Sequence, residues 1–432
     1  MVRAHKRATT RRLKRSLSVI TLTAATALTG AVPFAPRALA AAPGSVNVGV
    51  LLPLTGPHAP FGTALADGTE TAAYVINQAG GVLGEQMKVI AISDGGDPID
   101  AVTLTRAMIA DHHPSMFVSF GGSDYPNALP IVEKAHIVVF ADVGDPALDT
   151  QTNPYMYRAL PSDALTGSAM VWWAHHMGYK RVAEVFDVAS GAQTLIPPIQ
   201  AAAKKLGLSI VATGSSTLAE EAPSYTTTVQ NILAAHPQAL LLQLEPAGGG
   251  TFVHELDALG GQNVPIVGSD STSTADWVKA IGKTASIRQL TSVVAATGSL
   301  AGAPGRLFAS AFQHLYHTQP RSLSDSDYDA TIIGALAMDA AHSTNPSVFR
   351  KYIRAVTTPG SPHIPVHTYA QGAKLLAQGK AVDYVGLSSP WIFNTHHAIT
   401  ATYDAVTTYA SGNIKIVGTI PAGDLTKLIA SK

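Results

Sequence analysis

Two kinds of hydrophobic pattern alternate along the chain. Short continuous apolar runs at Val46–Leu54, Met87–Ser93, Met116–Phe120 and Ile137–Ala141 have the length and composition of buried strands. Between them, apolar positions recur at helical spacing, as in Leu65, Thr69, Ala72, Ala73 and Ile76, a run closed by Gly80-Gly81. Asp97 with Pro98 reads as an N-cap and first-turn pair, and Ser123, after Gly121-Gly122, as a second candidate cap. After "YMYRALPSD" the rhythm restarts, with strand-like runs at Arg181–Phe186, Leu208–Ala212, Ala239–Leu244 and Pro265–Gly268. Helical stretches are expected after Asp163, Thr194, Tyr225 and Gly250. A helix-rich stretch (Asp325–His342, Pro346–Val356) and a strand-like tail, Ala398–Gly418, complete the chain.

Continuous apolar strands alternating with helices predict an α/β fold of parallel sheets covered on both faces. Two such blocks predict two doubly wound lobes joined by a hinge, with the later material shared between them. The expected boundaries are residues 41–161 plus 294–389 for the first lobe and 162–293 plus 390–432 for the second. About 390 residues are too many for one core of usual size, which points the same way.

The first forty residues change the electrostatic picture. Seven basic residues between Arg3 and Arg15 precede an apolar run from Leu17 to about Phe34 and then "RALAAAP", in which Ala38-Leu39-Ala40 fits a cleavage site. This order predicts an export signal over residues 1–40 and a periplasmic or secreted product. The apolar run, broken by Gly30 and Pro33, is a poor membrane span. "TRRLKRS" matches a twin-arginine signal in part, which leaves the export route open. With Arg37 included, removal takes away eight of the 29 basic residues and none of the 29 acidic ones, leaving 21 against 29 and a net charge of −8. An acidic product argues against nucleic acid or anionic lipid as partner. With no cysteine there is neither disulfide nor thiolate metal site, nor a cysteine to carry a lipid.

Ligands of open parallel sheets bind beyond the carboxyl ends of the strands. In this chain those ends are Thr55–Phe61, Asp94, Gly121-Gly122-Ser123, Asp142, Asp187, Glu245–Gly250 and Asp270, rich in Gly, Ser and carboxylates. Enzyme signatures are missing: there is no phosphate-binding P-loop and no G-x-S-x-G elbow. His254-Glu255 opens like a zinc-protease helix but is followed by Ala258 where the second His belongs. The adjacent pairs His112-His113, His175-His176 and His396-His397 cannot put both rings on one helix face. "EPAGGG" could cradle a phosphate, yet lacks a nearby Lys or Arg and reads more simply as a strand-to-helix turn. Asp187 and Asp270 are either holders of a cation or polyhydroxy ligand or solvated loop acids, and Asp94 in "SDGGDP" reads as a turn former. No cofactor, metal site or catalytic residue is expected.

The pieces "PLTGPHAPFG", "INQAGGVLG", "SDGGDPIDAVTLTRAMI", "YRALPSDALTGSAM", "YDATIIGALAMDAA" and "VDYVGLSSPWIF", in this order, resemble the type I periplasmic solute-binding proteins. Among these they are most similar to the branched-chain amino acid binding proteins of ABC importers. The resemblance implies positions in a ligand cleft. Phe61 matches the aromatic residue that lines the cleft, and Ser123 the hydroxyl that holds a ligand carboxylate. "ADVGDP" matches the segment of backbone donors, hence Asp142, Val143 and Gly144, and Asp270 in Gly268-Ser269-Asp270 matches the acid that pairs with the ligand ammonium. The chain also departs from the family. Ser190-Gly191, after Asp187, stands where Tyr-Gly is common, and "EPAGGG", with Gly248, replaces another aromatic. Asp142 places a negative charge where a carboxylate is usually received; two like charges at about 4 Å repel by roughly 4 kcal/mol at an effective dielectric of 20. That exceeds one charge-assisted hydrogen bond, at about 1.5–3 kcal/mol.

The resemblance implies a binding protein, not an enzyme. It would close on a small polar ligand, an amino acid or related amide or amine, and deliver it to ABC permease subunits, with no membrane span of its own after cleavage. The alternative is an exported sensor that reports to a membrane receptor and transports nothing.

Overall fold

The computed structural model describes residues 44–121, 125–214, 218–295, 302–388, 391–399, 401, 403–408 and 414–430. The export segment and Ser123 lie outside the described residues. Pro43–Lys432 form one compact unit.

Fourteen strands are described: β1 (Ser45–Leu52), β2 (Gln86–Ser93), β3 (Met116–Gly121), β4 (Val138–Asp142), β5 (Met156–Arg158), β6 (Arg181–Phe186), β7 (Ser209–Thr213), β8 (Ala239–Gln243), β9 (Ile266–Gly268), β10 (Leu290–Ala295), β11 (Ile364–Val366), β12 (Val382–Tyr384), β13 (Tyr403–Thr408) and β14 (Ile414–Ile420). The first sheet is wholly parallel, in the order β2-β1-β3-β4-β5. The second runs β14-β13-β10-β9-β8-β6-β7. Its β10, β9, β8, β6 and β7 are parallel, whereas β13 and β14 add an antiparallel hairpin at one edge. The tail thus departs from the all-parallel expectation. β13 and β14 are separated by only five residues in the sequence, too few for the crossover of a dozen residues or more that a parallel partner needs.

Period-two alternation splits each sheet's side chains between two cores. On β4, Val138 and Phe140 join a cluster with the helices Ala59–Gln78, Ala303–Tyr316 and Ser324–Ala341. Val139 and Ala141 face the opposite way, toward the helices Pro98–His112 and Tyr125–Lys134. In the second sheet Leu241 packs with the helices Asp163–His176 and Ile196–Leu206, while Leu240 and Leu242 pack with Pro246–Ala258. Both sheets are therefore covered on both faces, as continuous apolar strands require. The chain passes from one set of cores to the other after β5, after β10, and between Ile399 and Ala401.

Two close approaches fix the first lobe. Gly68, on helix Ala59–Gln78, lies so near helix Ser324–Ala341 that an added Cβ would sit 2.0 Å from the carbonyl oxygen of Ser324. At Ser119 the β3 backbone takes a positive φ of 57°, and the register slips between Phe117 and Phe120. This bulge turns the Ser119 hydroxyl to Thr69, 2.8 Å away, and to the carboxylate of Asp327.

Candidate functional site

The carboxyl ends of β1, β3 and β4 in the first sheet and of β6, β8 and β9 in the second carry the candidate residues. The loop after β1 is tied to its neighbour by the Leu54 N–H and the Thr55 hydroxyl, which meet Ser93 Oγ at 3.0 and 3.1 Å. Phe61 stands half-buried in the first turn of the following helix.

His58, at the tip of this loop, reaches the second sheet. Its Nε2 lies 3.0 Å from Glu220 Oε2 and its Nδ1 3.3 Å from Glu245 Oε1. Glu220 follows β7 and Glu245 follows β8, so one imidazole spans the two lobes. The bond to Glu245 raises the His58 pKa to about 9 against the opposing effect of burial, and the charges of Glu245, Glu220 and Asp187 add to the rise. The sequence reading covered His58 and Glu245 only within the strand-end segments Thr55–Phe61 and Glu245–Gly250, gave neither a role of its own, and missed Glu220. The signal was that His58 is the sole titratable group in "TGPHAPFG", opposite strand ends rich in acids.

Asp142 turns inward. It is 4% exposed; its Oδ2 accepts the Phe120 N–H at 3.2 Å, and its carboxyl contacts Asp327 on helix Ser324–Ala341. Burial first, then the charge of Asp327, push Asp142 well above the usual carboxylate range, and burial raises Asp327 to about 7. Two buried carboxyls in contact hold a proton between them. The negative charge expected from the sequence at Asp142 is therefore suppressed: burial and the neighbouring Asp327 carboxylate hold Asp142 in its protonated, uncharged form. The neighbouring turn is held from behind: the buried Arg158 donates from Nε to the Val143 carbonyl at 3.1 Å and pairs with Asp149. Gly144 accepts the Asp163 N–H at 2.7 Å, and a Cβ there would meet Asp163 Oδ1 at 2.1 Å.

Asp163 was not among the sequence candidates. It begins the first helix of the second lobe and accepts the Thr194 hydroxyl at 2.6 Å. Burial raises its pKa to about 7; the Thr194 bond and Arg158 oppose that rise, and the charges of Asp270 and Asp145 reinforce it. Asp270, half-buried after β9, accepts the Ser271 N–H at 2.9 Å and is also raised by burial. Both acids belong to the second lobe, and the charge of Asp270 acts on Asp163.

The remaining candidates are built into the second lobe. Asp187 is buried, its two oxygens accepting the N–H groups of Ala189 (3.1 Å) and Glu245 (2.9 Å). Burial lifts it to about 6 despite those bonds. Ser190 opens the short helix Ser190–Gln193 and is partly exposed. Gly248 is buried under the 220 loop, where a Cβ would lie 2.1 Å from the Glu220 carbonyl oxygen. Asp94 is a turn residue, its Oδ1 accepting the Gly96 N–H at 2.9 Å.

The family model described as "periplasmic binding protein" matches residues 45–403. This chain is a periplasmic binding protein. Its family consists of substrate-binding proteins of ABC transporters, which bind and do not catalyse. The chain is 27% identical to Leu/Ile/Val-binding protein homolog 3 of Brucella melitensis over 246 residues, 56% of this chain and 66% of that one. The matched stretch is thus slightly under two thirds of that relative's length. Among solved structures, the substrate binding protein LivJ of Streptococcus pneumoniae, in complex with isoleucine, superimposes with a TM-score of 0.70 at 16% identity, covering 87% of this chain and 99% of that one. An ABC transporter solute binding protein from R. palustris, in complex with benzoate, gives the same TM-score and identity, covering 87% and 96%. The fold is that of the two-lobed type I binding proteins. Among the described residues no helix is long and apolar enough to cross a membrane.

Proposed function

We propose that this periplasmic binding protein is the extracytoplasmic receptor of an ABC importer, closing two lobes on a small ligand bearing a cationic or hydrogen-bond-donating group. The division into two lobes belongs to this proposal, as do the permease partners, with the sequence boundaries at 293/294 and 389/390 moved to after Ala295 and to between Ile399 and Ala401, where the cores change. The observation that carries the ligand class is the pair Asp163 and Asp270 at the hinge side of the second lobe, both raised by burial. An ammonium placed beside them would favour their charged forms and return their protons to solvent, and an amide N–H would find an acceptor there. With Asp142 turned inward and held protonated beside Asp327, the segment Asp142–Gly144 is free to offer backbone donors to a carboxylate, as the resemblance implies. Phe61 would pack on the ligand's apolar part and Ser123 would add a hydroxyl. An amino acid meets all of these demands, and a neutral amide or amine meets those of the second lobe.

Thermal unfolding of the purified protein against amino acids, amides, amines, sugars and aromatic acids tests this. A ligand at a hundredfold excess over its Kd adds about 2.7 kcal/mol to the folded state. A rise in Tm with an amino acid or amine is the expected result. A rise only with aromatic acids or sugars would overturn the ligand class, and no rise with any compound would count against the receptor reading itself.

A further inference from the structure

The contact made by His58 has a consequence for how the cleft works. Its imidazole stands between two carboxylates, with side-chain exposures of 22% for His58, 24% for Glu220 and 18% for Glu245. Donating to both requires both ring nitrogens to carry protons, so the bridging species is the imidazolium. The two glutamates are placed by backbone constraints independent of the histidine. The Glu245 N–H is fixed by Asp187 Oδ2, and Glu245 occupies the N-cap of helix Pro246–Ala258 without using its side chain as the cap. The Glu220 carbonyl rests on Gly248, where no side chain fits. A carboxylate near a helix N-terminus is stabilised by the helix dipole, and that of Glu245 is aimed across the cleft at the first lobe instead of capping its own helix.

We propose that His58, Glu220 and Glu245 form a built-in latch that draws the two lobes together in the absence of ligand and so sets ligand affinity. The inference rests on the reading that the lobes open and close. When the cleft opens, His58 returns to solvent and Glu220 and Glu245 lose their cation. Closure then releases free energy that the ligand does not have to supply, and a protein that spends more time closed has a different apparent affinity. The groups facing His58 are Glu220, Glu245 and, further off, Asp187 from the second lobe. From the first lobe the loop at Gly96 lies beside the ring, an added Cβ there coming within 3.8 Å of His58 Cδ2. Of its acids, Asp94 is turned to the Gly96 N–H and Asp97 caps the next helix through the N–H groups of Ile99 and Asp100.

The pH window follows from the direction of the shift. A histidine titrates near 6.5 in the open state and near 9 when latched. The latch therefore contributes fully below about 6.5, while the glutamates remain ionised, and is lost as pH rises through 9. A difference of that size is worth up to about 300-fold in the closed-to-open ratio, reduced by solvent screening of a partly exposed pair to about tenfold or more.

The chain contains no cysteine, so single spin labels can be placed cleanly on each lobe, with Arg106→Cys and Lys204→Cys. Electron–electron distance distributions of the ligand-free protein would be measured at pH 6, 7.5 and 9.5. In the parent, a short distance dominates at pH 6 and a longer one gains by about tenfold at pH 9.5. With His58→Gln or with Glu220→Gln plus Glu245→Gln, the longer distance dominates at every pH. His58→Lys, which keeps a charge to higher pH, holds the short distance at pH 9.5. Near-ultraviolet circular dichroism checks that each variant is folded. Identical, pH-independent distributions in parent and His58→Gln would overturn the latch. If the distance then still shortens with a compound from the thermal panel, the receptor reading survives; if it never changes, that reading falls as well.

Discussion

At single positions the charges are governed by burial. Asp327, raised to about 7 by desolvation, must ionise inside the protein as pH rises, whereas the unfolded chain loses that proton near 4. The stabilisation from the bound proton is thus complete below pH 4 and lost as pH climbs through 7. Asp327→Asn should therefore gain stability relative to the parent between pH 5 and pH 8, by on the order of 2 kcal/mol, measured by urea unfolding at the two values. Asp270 has the opposite kind of role under the proposed function. Asp270→Asn should weaken binding of a cationic ligand at pH 7.5 by about ten- to hundredfold in calorimetric titration, the value of a charge-assisted hydrogen bond, with unfolding little changed. A loss no larger for the charged ligand than for a neutral amide would remove Asp270 from the ammonium site.

Among the elements, helix Ser324–Ala341 joins most of the first lobe, being buried from Ser324 to Met338. Asp329 on this helix accepts from the Tyr384 hydroxyl at 2.7 Å, the N–H groups of Leu387 and Ser388 at 2.7 and 2.8 Å, and the Trp391 indole at 3.1 Å. Those bonds oppose the rise that burial imposes on Asp329. Asp329→Ala would strand several buried donors at about 1–3 kcal/mol each before relaxation. Chemical unfolding should show a loss of at least about 3 kcal/mol, larger than for Asp329→Asn, which keeps an acceptor. In the second lobe Gly248→Ala would force the 220 loop away, because the new methyl meets a backbone oxygen and not a flexible side chain. Unfolding free energy should fall by about 1–3 kcal/mol.

For the whole molecule, the proposed closure makes affinity depend on the balance between ligand and protein contacts across the cleft. His58 joins the two lobes in this structure. Added salt weakens a partly exposed pair, so raising the salt from 0.05 to about 1 M should lengthen the interlobe distance of the ligand-free protein. A ligand that stabilises the fold should restore the short distance at the same salt. An unchanged distance in both conditions would mean that the lobes are held by apolar contact alone.

The α/β class, the two rounds of strand and helix, and the Asp97 cap were legible because they depend on near neighbours: apolar period, turn residues and capping chemistry. Asp97 does accept the N–H of Ile99 at 2.7 Å. β5, with three residues, carries too few for periodicity to act, and β10 escaped the pattern for its mixed composition, whereas the equally short β9 was read within Pro265–Gly268. The antiparallel hairpin of β13 and β14 was hidden because pairing direction belongs to the sheet and not to the strand. The site divides in the same way. The sequence marked Asp142, Asp187 and Asp270 as acids at strand ends. Only the packed chain set their states, placing Asp142 against an acid 185 positions further on and Asp187 under two backbone amides. It also set His58 between Glu220 and Glu245, partners more than 160 positions away. Local order determined which elements form; charge state and cross-lobe contact depend on distance and dielectric, and those exist only once the chain has folded.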